Sequence, residues 1–341
     1  MTQRKQTFPF SSAVTDMYFG AGFSDLKKIT DPDGTVLITD EHVYNAHAWK
    51  FRGWNCIVLK PGEAFKVQST ADAIIEQLIS MEADRKTVLV GVGGGVVTDI
   101  TGYVASVYMR GLRFGFVPTT VLGLVDASIG GKNGIDVGVY KNMVGLIRQP
   151  AFILHDMSFL KSLPEPEWQN GFAEIIKHAC IKDAAMFRAL GEKSIRHFRR
   201  ASTDMAELVK RNARLKAGIV KSDEFEQGER RLLNFGHTLG HALENQYELL
   251  HGQAVSIGMT YACHISSQLC GFKHTDQVTQ LLSRYGLPTY AAFDHARAFE
   301  VLKMDKKRER TALNYVLLDR IGKATVKPVG LAQLEKIIHS L

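Results

Sequence analysis

The sequence predicts an α/β domain followed by a mainly α-helical one. Three observations carry this. In the first half, short β-branched runs alternate with helix-like stretches. One of those runs ends on three consecutive glycines. Past about residue 150 the chain turns to long segments rich in Ala, Leu, Lys and Glu. At about 150 residues per domain, 341 residues fit two domains. That length buries a full core without covalent staples.

In chain order, Val36-Leu37-Ile38-Thr39 reads as a strand ending at Asp40, and Asn55-Cys56-Ile57-Val58-Leu59 as a second ending at Pro61-Gly62. Residues 71–84 place Ile74, Ile75, Leu78, Ile79 and Met81 on a broad apolar helical face. Residues 87–92 form a β-branched strand that meets the glycines, and 100–108 read as helix. Strand, helix and strand at this spacing predict a parallel sheet with right-handed crossovers. Phe114-Gly115-Phe116-Val117 is a further strand, closing on Pro118-Thr119-Thr120. Residues 165–246, 262–282 and 331–341 read as helical, and 313–329 as a β-hairpin turning near Arg320-Ile321-Gly322. The domains are predicted as 1–155 and 156–341, with the site expected in a cleft between them.

Three segments carry polar chemistry. Gly93-Gly94-Gly95 joins a strand to a helix, where glycine allows close backbone approach and the helix start attracts phosphate. It is not the G-x-G-x-x-G fingerprint, and a tight turn explains it equally. Asp126-Ala127-Ser128-Ile129-Gly130-Gly131-Lys132 gathers an acid, a hydroxyl, paired glycines and a lysine, and Lys141-Asn142 follows. This composition suits an anion. His237 and His241 stand four residues apart, on one helix face. With His251 and Glu174 nearby in the pattern, they offer two histidines and a carboxylate, a set that suits catalytic zinc. Spacing alone does not fix which of them ligate.

Composition narrows the function classes. Apolar residues are 45% and charged residues 23%, as in a globular protein. The net charge of +7 admits nucleic acid or a small anionic substrate. The basic run Lys306-Lys307-Arg308 is too short to favour nucleic acid. Cys56, Cys180, Cys263 and Cys270 form no C-x-x-C pair, so reduced thiols and a cytoplasmic location are expected. No apolar leader and no run of 18 uncharged apolar residues is present, so no membrane segment is expected.

Taken together, these motifs resemble the 3-dehydroquinate synthase family of sugar-phosphate cyclases. The resemblance runs in order over residues 40–322. Its pieces are Gly93-Gly94-Gly95 through Asp99, Tyr108-Met109-Arg110-Gly111, Pro118-Thr119-Thr120, Asp126 to Lys132, Lys141-Asn142, Glu174 through Lys177, Asn234 to His241, and Leu250-His251-Gly252. Any one piece is a weak signal; their order makes it specific. The resemblance implies a Rossmann-like, dinucleotide-binding α/β domain and a helical, metal-binding domain. It implies NAD contacts from Asp40, Glu63, Lys66, Gly93, Gly94, Gly95, Asp99, Thr119, Thr120 and Lys141. Metal ligands implied for zinc or cobalt are Glu174, His237 and His251. Substrate contacts implied are Asp126, Lys132, Asn142, Lys177, Lys216, Arg230, Asn234, His241 and Lys307, with Lys306 as the alternative to the last. Arg110 is implied to reach the phosphate of a neighbouring subunit, hence a homodimer.

The implied reaction turns 3-deoxy-arabino-heptulosonate 7-phosphate into 3-dehydroquinate and phosphate, with transient oxidation by NAD and intramolecular aldol closure. Departures from the family pattern stand at His42, Thr98, Asn133 and Asp136. Sister cyclases for other sugar phosphates tend to differ at Lys216, Asn234 and His241, which here match the dehydroquinate pattern. The competing readings are such a sister cyclase, a metal-dependent glycerol or alcohol dehydrogenase, and a nucleic-acid binder.

Overall fold

The computed structural model describes residues 4–339 apart from 139, 245, 248, 304–307 and 310–311. They form two compact units: Met1–Glu167 with Ser202–Phe225, and Trp168–Ala201 with Glu226–Leu341. The sequence places a single boundary after residue 155, whereas in the structure one long helix of the second half is grouped with the first unit. The reason is its apolar face, where Ala213, Ala217 and Val220 join the core of that unit.

The first unit carries β1 (Arg4–Pro9), β2 (Val14–Phe19), β3 (Thr35–Asp40), α1 (Glu41–His47), β4 (Asn55–Leu59), α2 (Gln68–Ser80), β5 (Val88–Gly93), α3 (Gly95–Val107) and β6 (Arg113–Pro118). A hairpin of β7 (Lys132–Val137) and β8 (Tyr140–Ile147) follows, and then β9 (Phe152–His155). The main sheet has seven strands in the order β1-β2-β9-β6-β5-β3-β4. Only β1 and β2 pair antiparallel; the other neighbours are parallel. Counting β3, β4, β5, β6 and β9 in chain order, these strands are arranged 2-1-3-4-5, a doubly wound pattern whose switch point lies between β3 and β5, with β2 added parallel to β9. The Rossmann-like α/β class is thus as the sequence predicts.

Every residue of β5 is buried, as a parallel strand covered on both faces requires. Alternation sorts β3 onto the two faces. Val36 and Ile38 pack with Ile100, Val104 and Phe114 on one side, while Leu37 packs with Val90, Val117 and Leu154 on the other. Helix α2 ends before the predicted residue 84, because Met81 leaves helical geometry and Glu82 turns left-handed at φ 56°. Helix α3 begins at the third glycine, earlier than the predicted residue 100. The strands β1, β2, β7 and β8 are not read from the sequence. In β7 and β8, glycine and polar residues dilute the β signal, and tertiary pairing of Gly134 with Gly145 makes the ladder.

The second unit carries α4 (Glu165–Lys182, from Trp168 onward), α5 (Ala184–Gly191) and α6 (Ile195–Arg200). The long helix of the first unit is α7 (Ser202–Ser222). Then come α8 (His237–Glu244), α9 (His251–Cys270), α10 (Thr275–Arg284), α11 (His295–Lys303), β10 (Arg308–Glu309), β11 (Ala312–Arg320), β12 (Lys323–Gly330) and α12 (Leu331–His339). The predicted helix 262–282 is two helices, broken at Gly271, whose left-handed φ of 68° caps α9. The predicted hairpin is β11–β12, and Gly322 donates its N–H to the Cys180 carbonyl at 2.8 Å. Phe172 stacks on Tyr285 at 4.8 Å and packs against Phe198, closing the helical core. Among the described residues no helix is long and apolar enough to cross a membrane.

Candidate active site

The first unit gathers its polar residues at the carboxyl ends of its strands. Asp40 ends β3 and caps α1, accepting from the Val43 N–H at 3.0 Å. Gly93 to Gly95 join β5 to α3 on the other side of the switch point. Only glycine fits at 93: a Cβ there would stand 2.5 Å from the Cβ of Val97. The Thr119 N–H donates to the Gly93 carbonyl at 3.0 Å. The Thr119 hydroxyl is buried with no hydrogen-bond partner among the described residues. Thr120 accepts from the Gly123 N–H at 2.9 Å.

Lys66 centres a charged ring beside this turn. Its ammonium lies 2.6 Å from Asp99 Oδ2, 3.8 Å from Glu63 Oε1 and 2.7 Å from Asn142 Oδ1. Burial alone would strip its proton; the carboxylates of Asp99, Glu63 and Asp136 outweigh it, and the net shift is upward. Burial also pushes the Asp99 carboxyl up, against the pull of Lys66. Lys141 and Asn142 are on β8, and Lys132 opens β7. In a second pair, Lys216 of α7 reaches Asp126 Oδ1 at 2.6 Å and the Asp126 carbonyl at 2.7 Å. Arg110 is exposed in a left-handed turn with φ 69°.

The second unit holds a nitrogen-rich cluster around Glu174, which is fully buried on α4. His237 Nε2 lies 3.4 Å and His251 Nε2 3.2 Å from Glu174 Oε1. Lys177, one turn along α4, pairs with the other carboxylate oxygen. Burial raises the Glu174 carboxyl, but Lys177 and the two imidazoles outweigh it and hold it well below the usual range. Burial and the charge of Lys177 push His237 down, against the pull of Glu174. His251 is pushed up to about 10: burial opposes the proton, while Glu174 and Glu244 together hold it. Its Nδ1 lies 3.4 Å from Glu244 Oε2, and His237 Nδ1 lies 3.2 Å from the Phe235 carbonyl.

These contacts test the fit of a cation. One carboxylate oxygen and two imidazole nitrogens converge within 4.8 Å of one another. Each Nδ1 faces an outer acceptor, which turns each Nε2 toward Glu174. The set fits a three-ligand site with an open position, as a catalytic divalent metal uses. His241, exposed on α8, sits with its ring 5.2 Å from that of His237. Asn234 donates to Glu226 Oε1, and Arg230 is buried at 2% exposure in the same turn-rich segment. Lys306 and Lys307 lie outside the described residues. Glu244 and the Phe235 carbonyl are participants that the sequence did not single out, and Asp136 stands there only as a departure from the family pattern, with no role. Only the seven-residue spacing of Glu244 from His251 and the carboxylate class of Asp136 hint at them.

The fold and this cluster define a class: a doubly wound α/β unit joined in one chain to a helical unit with a histidine–carboxylate centre. The sequence matches the 3-dehydroquinate synthase N-terminal domain over residues 56–170 and its C-terminal domain over residues 171–308. The chain therefore belongs to the 3-dehydroquinate synthase family of sugar-phosphate cyclases. Among solved structures it is similar to 2-deoxy-scyllo-inosose synthase complexed with carbaglucose-6-phosphate, NAD+ and Co2+, at 24% identity, covering 99% of this chain and 100% of that one with a TM-score of 0.85. The 2-epi-5-epi-valiolone synthase ValA of Streptomyces hygroscopicus subsp. jinggangensis 5008, with NAD+ and Zn2+ bound, is 23% identical over 99% of this chain and 98% of its own, with a TM-score of 0.84. Maleylacetate reductase of Agrobacterium tumefaciens is more distant, at 15% identity, 97% of both chains and a TM-score of 0.65.

Proposed function

We propose that the protein is a 3-dehydroquinate synthase, a phosphorus–oxygen lyase of aromatic amino acid biosynthesis. It converts 3-deoxy-arabino-heptulosonate 7-phosphate to 3-dehydroquinate and phosphate. The observation that carries this reading is a pair of buried cations outside the hairpin that bears Lys132 and Asn142: Lys216 in the first unit and Arg230 in the second. A carboxylate on the substrate suits buried cations of this kind, Lys216 being held in place by Asp126, whereas sedoheptulose 7-phosphate and glucose 6-phosphate lack it. Lys216, Asn234 and His241 also match the dehydroquinate pattern rather than that of sister cyclases.

NAD and a divalent metal, zinc or cobalt, are the cofactors of this reading, as they are in the similar structures. When bound, NAD supplies reversible oxidation of one hydroxyl and the metal supplies Lewis acidity there. Asp40, Glu63, Lys66, Asp99, Thr119, Thr120 and Lys141 hold the dinucleotide around the Gly93–Gly95 turn. Glu174, His237 and His251 hold the metal. Lys132, Asn142, Lys307 and Arg110 of a neighbouring subunit hold the phosphate, which makes the working form a homodimer. Arg230 offers a planar fork to the carboxylate and Lys216 a second charge. Asp126, Lys177 and Asn234 orient ring hydroxyls. His241 moves a proton, as an imidazole can both donate and accept one. Four free cysteines suit a cytoplasmic site of action.

The test is release of phosphate from the heptulosonate phosphate with a trace of NAD. The expected result is stoichiometric phosphate and no accumulating NADH absorbance. Net NADH formation identifies a dehydrogenase instead. Phosphate release from sedoheptulose 7-phosphate or glucose 6-phosphate alone identifies a sister cyclase.

A further inference from the structure

Within the first unit, the β7–β8 hairpin is irregular at one place. Its ladder shifts register between Ile135 and Val137, and Asp136 takes no place in the backbone register with β8. The backbone of Asp136 turns outward instead, and its N–H donates to the Lys66 carbonyl at 2.7 Å beside a single parallel bridge to Val67. Its carboxylate, 9% exposed, accepts the backbone N–H of Asn142 at 2.7 Å. Bulges of this kind re-aim side chains near functional sites. Asn142 itself lies in the left-handed region at φ 53°, inside a strand. Among non-glycine residues Asn is one of those that adopt this region most readily.

Two contacts hold Asn142 there, and they leave the side chain with a defined chemical end. The Lys66 ammonium can only donate, and it takes the Asn142 Oδ1 at 2.7 Å. The amide is therefore fixed with its oxygen inward, and the Nδ2 donor is left on the exposed side without a hydrogen bond to any described residue. A fixed, outward N–H₂ group next to Lys141 suits an anionic oxygen and repels a cation. Asp136 holds the backbone that carries this donor, and Lys66, itself held by Asp99 at 2.6 Å, holds its orientation.

We infer that Asp136 is a positioning residue for phosphate: it acts through Asn142, clamping that residue so that its amide N–H₂ faces a phosphoryl oxygen. This rests on the reading above that Asn142 contacts the phosphate.

The experiment measures binding of inorganic phosphate to the intact protein by calorimetry, alongside KM and kcat for the sugar phosphate. Asp136→Ala removes the acceptor. It is expected to weaken phosphate binding and raise KM at least about tenfold, as loss of a charge-assisted hydrogen bond does, with kcat within about threefold. Asp136→Asn keeps an acceptor of the same size and should restore most of the affinity. Asn142→Gly tolerates the left-handed backbone but lacks the amide, and should show the same loss. Adding Asp136→Ala to Asn142→Gly should cost nothing further, because the two act as one unit. The inference is overturned if Asp136→Ala binds phosphate like the parent, if Asp136→Asn fails to rescue, or if the double variant is additive. If Asp136→Ala does not fold, an Asn142→Gly protein with parental phosphate affinity overturns it equally. A parent protein that binds phosphate through this set but releases none from the heptulosonate phosphate refutes the proposed activity and leaves the positioning role standing.

Discussion

The two units hold charge clusters of opposite polarity. Around Lys66 one cation is surrounded by acceptors: Asp99 and Asn142 at hydrogen-bond distance and Glu63 farther out. Around Glu174 one carboxylate is surrounded by nitrogens: Lys177, His237 and His251. In the first cluster one ammonium serves several acceptors at once, because a lysine donates in three directions. In the second, Lys177 and two imidazoles face the carboxylate, and a divalent cation held by Glu174, His237 and His251 would engage both Nε2 atoms and Oε1. The same ingredients thus make a cation-centred cluster in one unit and a carboxylate-centred one in the other, according to which group sits in the middle.

Three substitutions test that contrast, beginning with the largest effect. His237→Ala removes a ligand from the second cluster. Stoichiometric metal should be lost and turnover should fall by about two orders of magnitude or more, since even indirect damage to metal ligation costs 10–100-fold. Elemental analysis with a rate measurement checks this, and a fully metallated, fully active variant would refute the ligand assignment. Lys66→Met removes the centre of the first cluster and leaves facing carboxylates without their cation. Stability should drop by about 3 kcal/mol in urea unfolding, the scale of a broken buried pair, while metal content stays at parental level. Loss of metal in that variant would break the comparison, because the two clusters would then not be independent.

A third carboxylate sharpens the point. Glu224 is buried in the first unit and accepts from the Ser11 hydroxyl, the Ser12 N–H at 3.0 Å, the Ser12 hydroxyl at 2.5 Å and Gln149 Nε2 at 2.8 Å. Burial raises its carboxyl, but these donors win and bring it to about 2. Held by these donors, it serves as a tie between the amino-terminal turn and the segment after α7. Its folded pKa lies below the unfolded value, so its contribution is present above about pH 4.5 and is lost as the pH falls toward 2. Glu224→Gln should cost about 2 kcal/mol at pH 7 and much less near pH 2.5. Parallel chemical denaturation at the two pH values reads the difference, and an equal cost at both would remove the charge from the account.

Much of the first unit is legible as local pattern. The strands β3, β4 and β5 are β-branched runs and β6 an aromatic one, all bounded by turn residues, and the glycines mark where β5 meets α3. The edge hairpin β1–β2 and the β7–β8 hairpin are not legible in this way. Gly134 and Gly145 carry no strand preference, and they pair because the opposing backbone fits only where a side chain is missing. In the site, residue types and order point to Glu174, His237 and His251 through family resemblance. The outer partners Glu244, the Phe235 carbonyl and Asp136 have no motif of their own.

By itself, then, the sequence determined the fold class, the helical character of the second half and the pool of acids, histidines and lysines from which a site is drawn. These follow from periodicity and composition, which act over one or two turns of chain. Only the tertiary structure decided which members of that pool meet. It brought Glu174 to His251 across 77 residues and Lys66 to Asn142 across 76, and it returned α7 to the first unit. The physical reason is that closing a long loop costs an entropy that depends only weakly on its length. No local pattern therefore records which distant residues will face each other; burial of the apolar faces around them makes that choice.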